Sequence, residues 1–132
     1  MSRPLIFCCI VAFVFAAAPT PADATTHTIR GTVVVRGGVS LEDCAGADDQ
    51  SDIHRGSRVR LQDDDRLVVA RARLGPGRAG GGGIARCEFR FTMRDAPSSP
   101  TYTFLVAERS KGRSVTRAHL AAHDWRVTLT PS

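Results

Sequence analysis

Two histidines four residues apart, His119 and His123, would share one face of a helix, where paired imidazoles could chelate Zn²⁺ or Cu²⁺. No Glu stands beside His119, so the metalloprotease pattern is missing, and surface histidines are commoner than ligands. A second set is acidic. Asp48, Asp49 and Asp52, with Asp63, Asp64 and Asp65 brought close, could offer the oxygen ligands of a Ca²⁺ site. No D-x-D-x-D-G frame orders them, and aspartates in turns ordinarily accept local backbone hydrogen bonds. Ser114, His119 and Asp124 would make a hydrolytic trio, but no G-x-S-x-G elbow presents the serine. The run Gly80–Gly83 lacks the Gly-Lys-Ser/Thr ending of a phosphate loop. His27 and His54 have no partner in sequence and read as ordinary surface residues. No motif calls for a cofactor.

The remaining candidate is electrostatic. Arg58 and Arg60 alternate with Val59 and Leu61, Arg71 and Arg73 with Ala70 and Ala72, and Arg86 and Arg90 with Cys87 and Phe89. Alternation puts all six guanidinium groups on the solvent side of three successive strands. If those strands neighbour one another in one sheet, they form a positive face for a polyanion: envelope phosphates, anionic lipid heads or acidic glycans. No aromatic residues interleave there, so stacking of single-stranded nucleic acid is unsupported. The bland alternative is that a sheet's outer face must be polar and arginine is this chain's default polar residue. Of 18 basic residues, only Lys111 is a lysine, and the net charge is +5.

The element on which the rest hangs is Arg86–Met93, in which Cys87, Phe89, Phe91 and Met93 face inward between polar residues. Thr26 to Val35 is rich in β-branched residues and forms an earlier strand. Val39 to Gly56 is an acidic loop around Cys44. Arg58 to Gln62 and Leu67 to Leu74, joined by Asp63–Asp65, read as a hairpin. Gly75 to Gly83 reads as a flexible connection and Asp95 to Pro100 as a turn. Thr101 to Ala107 is a strand, Ser114 or Thr116 caps a short helix ending near His123, and Trp125 to Leu129 closes the chain. The fold expected is all-β: a single-domain two-sheet sandwich of about seven strands with one short helix near the C-terminus. Its expected core is Val59, Leu61, Val68, Leu74, Phe89, Phe91, Tyr102, Phe104, Val106, Trp125, Val127 and Leu129.

The N-terminus reads as an address. Arg3 precedes an apolar run from Leu5 to Ala18, and Ala22-Asp23-Ala24 offers an A-x-A cleavage site, the order of a secretory signal peptide over residues 1–24. Cleavage after Ala24 leaves residues 25–132 as the domain, secreted and without a later hydrophobic span. It also removes Cys8 and Cys9, so Cys44 and Cys87 are expected to pair as one structural disulfide. Neither has a second Cys or a His at metal-site spacing.

One ensemble of residues carries a resemblance. It comprises His27-Thr28-Ile29-Arg30-Gly31-Thr32, Cys44, Asp52-Ile53, Gly56, Val59, Asp63, Leu74, Gly77, Cys87-Glu88-Phe89-Arg90-Phe91, Tyr102-Thr103-Phe104, Ser114 to Leu120 and Trp125-Arg126-Val127. Together these resemble a group of small exported actinobacterial β-sandwich proteins of no established activity. The resemblance implies a disulfide-stapled sandwich outside the cytoplasm and supplies no catalytic residue. The chain departs from the group in its Gly80–Gly83 run and at His123, where the group pattern has glycine before the tryptophan.

The function expected is a secreted, non-enzymatic binding or interaction module acting at or beyond the cell envelope. Its partner would be an anionic envelope component or another extracellular protein. The alternative is a small metal-dependent or hydrolytic secreted enzyme using His119 and His123 or the acidic loop.

Overall fold

The computed structural model describes residues 25–36, 44, 50–80 and 86–131. The expected signal peptide and the loop acids Glu42, Asp43, Asp48 and Asp49 lie outside the described residues. In chain order the elements are β1 (Thr26–Arg36), β2 (Arg58–Gln62), β3 (Val68–Arg73), β4 (Gly77–Ala79), β5 (Arg86–Pro97), β6 (Thr101–Val106), β7 (Arg113–Thr116), α1 (Arg117–Ala122) and β8 (Arg126–Leu129). They build two four-stranded sheets, β4-β5-β1-β8 and β3-β2-β6-β7. The all-β two-sheet sandwich with one short late helix is therefore what the chain forms.

The longest ladder is the antiparallel pairing of β1 with β5, which runs from Thr26 opposite Pro97 to Arg36 opposite Arg86. Alternation sends Ile29, Val33 and Val35 of β1 and Cys87, Phe89, Phe91 and Met93 of β5 into the core, each at most 3% exposed. Gly31 stands directly opposite Phe91, and the aromatic ring lies over it; a Cβ at that glycine would overlap the ring. The second sheet answers with Val59, Leu61, Tyr102, Phe104 and Val106. Tyr102 is fully buried yet satisfied: its hydroxyl donates to the Pro97 carbonyl (2.7 Å) and accepts the Ser99 N–H (3.0 Å).

Cys44 and Cys87 are joined, Cα to Cα 5.5 Å, across a separation of 43 residues. In the chain-entropy view, a loop of that length lowers the entropy of the unfolded chain enough to stabilise the fold by about 4 kcal/mol.

Three local readings change. Gly75 to Gly83 is not wholly a flexible connection, because Gly77–Ala79 pairs with Phe89–Cys87 as β4. Gly77 leaves room there for both Cys44 and the Phe89 ring. Ser114 begins no helix; it lies in β7, paired with Thr103 of β6, and Thr116 alone caps α1 by accepting the His119 N–H (3.1 Å). The strand expected to end at Met93 runs on to Pro97, past an irregularity in register near His27. One core assignment falls and a second is met only in part. Val68 is only half-buried, and Val69, Ala70 and Ala72 of β3 pack against the core instead. Trp125 is partly buried against the core, but it lies before β8 on a left-handed backbone, φ 55° and 58° at Asp124 and Trp125, and stacks on His27 with centroids 3.6 Å apart. His27 is therefore a stacking partner rather than an ordinary surface residue.

Gly31→Val is expected to lower the unfolding free energy by about 1–3 kcal/mol, because Phe91 must leave its place. Urea denaturation checks this, and an unchanged midpoint would mean the ring does not depend on that space.

Candidate functional site

The acidic and histidine candidates resolve first. Asp63, Asp64 and Asp65 are the only described group of three or more ligand-type side chains that converges within reach of one ion. Two of the three carboxylates are already engaged within the protein. Asp63 Oδ1 accepts the N–H groups of Asp65 (3.0 Å) and Leu67 (2.9 Å), and Asp64 Oδ1 accepts the Ser99 hydroxyl (3.1 Å). Asp52 stands apart, in a bidentate pair with Arg109 at 2.9 and 3.0 Å. His119 and His123 do share a face of α1, but their rings stack at 4.1 Å with 25° between planes. His123 Nδ1 also lies 2.8 Å from the His119 carbonyl oxygen. No third ligand-type side chain among the described residues converges with them, Asp124 included. Ser114 lies 3.0 Å from the Thr103 hydroxyl across the β6–β7 ladder, not from a histidine.

The six arginines expected on one face are divided between two. After β3 the chain passes to the other sheet, where Gly75 donates to the Arg90 carbonyl (2.8 Å) and β4 adds to β5. Hence β5 neighbours β1 and β4, while β2 and β3 lie in the opposite layer. The outer faces of two packed sheets point in opposite directions. In the β2–β3 layer two of the four arginines hold the backbone. Arg60 donates through Nη2 to the carbonyls of Ala107 and Arg109, 3.1 Å each, and Arg73 Nη1 donates to the Gly56 carbonyl (3.0 Å).

On the other side, the outward positions of β5, β1 and β8 form a checkerboard. One rung holds Arg90, Thr32 and Thr128; the next holds Thr92, Arg30 and Arg126. Five of the six are exposed and Thr32 is half-buried. A depression of about 460 Å³ lies along them. The side chains of Arg30, Arg90 and Arg126 make no hydrogen bond or ion pair with any described residue. Farther along the same face Arg36 stands opposite Arg86 and Arg78 opposite Glu88; Glu88 lies 3.4 Å from Arg86. Like charges placed directly opposite in a sheet are destabilising, as in the Arg30–Arg126 and Arg36–Arg86 pairs, and an anion laid across them removes that cost.

Arg90 was visible in the sequence as a member of a basic face, whereas Arg30 and Arg126 were not grouped with it. Their outward parity in the first and last strands was the available signal. The placing of β1 between β5 and β8 was not, because β1 and β8 lie at opposite ends of the chain and pair in parallel.

No family model, curated protein or solved structure matches this chain.

The Asp52–Arg109 pair has a consequence for acid stability. Hydrogen bonding to Arg109, the largest cause, holds the Asp52 carboxyl below the ordinary aspartate value of 3.8. With the folded value below the unfolded one, the pair's stabilisation is complete above that ordinary value and lost as pH falls through the folded one. Wild-type stability should therefore fall more steeply with acid than that of Asp52→Asn below about pH 4. The difference is modest, because the pair is partly open to water. Parallel curves from chemical denaturation across this range would contradict it.

Proposed function

We propose that this chain is a secreted, non-enzymatic binding module that holds a phosphate-rich anionic polymer of the cell envelope across the outer face of β5, β1 and β8. The observation that carries the proposal is the trio Arg30, Arg90 and Arg126, which meets on adjacent rungs with no internal partner. Planar guanidinium forks match phosphate oxygens, and Thr32, Thr92 and Thr128 interleave hydroxyl donors among them. Six arginines against one glutamate make the field over this face positive (Arg30, Arg36, Arg78, Arg86, Arg90 and Arg126 against Glu88).

Secretion rests on the signal-like N-terminus, and two observations agree with it. Cys44 and Cys87 form a disulfide, and no helix among the described residues is long and apolar enough to cross a membrane. The resemblance to exported actinobacterial sandwich proteins points the same way.

Labelled polyphosphate should bind the purified protein with an affinity that falls as salt rises. Arg30→Glu and Arg126→Glu should each weaken it about tenfold, the equivalent of one charge-assisted hydrogen bond of roughly 1.4 kcal/mol. Arg58→Glu and Arg71→Glu, on the far face, should leave it within about twofold. Equal losses from both faces would reduce the interaction to net charge, and no binding at low salt would refute the assignment.

A further inference from the structure

The sandwich is open along one edge, where β8 of the first sheet faces the β6–β7 turn of the second. A cavity of about 290 Å³ lies there, lined by Phe104, Val106 and Leu129 together with Lys111, Gly112 and Arg113. The three apolar side chains belong to the core, 1%, 6% and 2% exposed, so they form a closed floor beneath the cavity. Its size is at the lower end for small-molecule sites, and an apolar floor with a few polar groups at the rim is their usual construction.

The rim is built and one-signed. Arg113 Nη1 donates to the Thr128 carbonyl (2.9 Å), tying β7 to the exposed side of β8 across the opening. Its other N–H donors and the Lys111 ammonium have no partner among the described residues. Gly112 lets the turn close down, since a Cβ there would overlap the Phe104 carbonyl. Arg109, also at the rim, is held by Asp52, and Arg60 holds the turn's carbonyls from beneath. No acidic side chain among the described residues lines the cavity.

We infer that this edge cavity binds a small amphiphile: an unbranched apolar chain laid over the floor of Phe104, Val106 and Leu129, with a single carboxylate head held by Lys111 and Arg113. The head-group assignment follows from charge complementarity, the tail from the lining. This site is separate from the arginine face and does not depend on it.

The test uses the purified protein, with decanoate and decylamine below their micellar concentrations and decanol below its solubility limit, followed by calorimetry and thermal denaturation. Decanoate should bind and raise Tm, decanol should bind at least about tenfold more weakly, and decylamine should not bind measurably, since one charge-assisted hydrogen bond is worth about a factor of ten. Lys111→Glu should weaken decanoate about tenfold. Thr130→Trp, which fills the mouth from an exposed position, should abolish binding while leaving the ligand-free Tm nearly unchanged. Arg30→Glu should leave decanoate binding intact, separating this site from the polyanion face. Absence of decanoate binding, equal binding of all three probes, or loss in Arg30→Glu with retention in Thr130→Trp would each overturn the inference.

Discussion

The pairing of β1 with β5 is the constraint on which the rest of this structure depends. Its register sets Phe91 over Gly31, brings Cys87 to the surface of the core where Cys44 reaches it, and offers β1's free side to β8. A slip of one residue would exchange the faces, turning Phe89 and Phe91 to solvent and Arg90 into the core. The buried glycine–phenylalanine pair and the disulfide both oppose such a slip. The same register that buries the aromatics is thus what assembles Arg30, Arg90 and Arg126 on the far side.

Arginine has two roles here, and they separate by sheet. In the β3-β2-β6-β7 layer, Arg60 and Arg73 act as donors to backbone carbonyls that no strand partner satisfies. Arg109 and Asp52 extend that bracket into the loop after β6, and so help to hold the rim of the edge cavity. In the β4-β5-β1-β8 layer the central guanidinium groups have no such task. Arginine as a generic polar residue accounts for either layer's composition, but it does not account for three unpaired cations on adjacent rungs.

Much of the architecture was legible because period-2 alternation is strong where one face is buried, as in Arg86–Met93, Arg58–Gln62 and Thr101–Val106. The strands that escaped notice are those whose conformation is imposed from outside. Gly77–Ala79 has no apolar alternation and is extended because β5 pairs with it. Arg113–Thr116 carries residues that suit a helix cap as well as a strand, and Thr116 serves both. Trp125 keeps the parity of Val127 and Leu129, yet two left-handed residues at the corner turn its ring toward His27. The candidate site was legible residue by residue and not as a surface. Outward parity is a local property, whereas which strands lie side by side is decided by long-range pairing and by the crossing at Leu74 and Gly75 from one sheet to the other.

A residue-resolved titration would test the outer face of β5, β1 and β8 as the polyanion site. Backbone amide chemical shifts of the ¹⁵N-labelled protein would be followed during titration with short-chain polyphosphate at low and then at physiological salt. Saturable shifts centred on Arg30, Thr32, Arg90, Thr92, Arg126 and Thr128 are expected, with β2 and β3 silent. Shifts spread evenly over both faces, or centred on Arg58 and Arg71, would contradict that assignment.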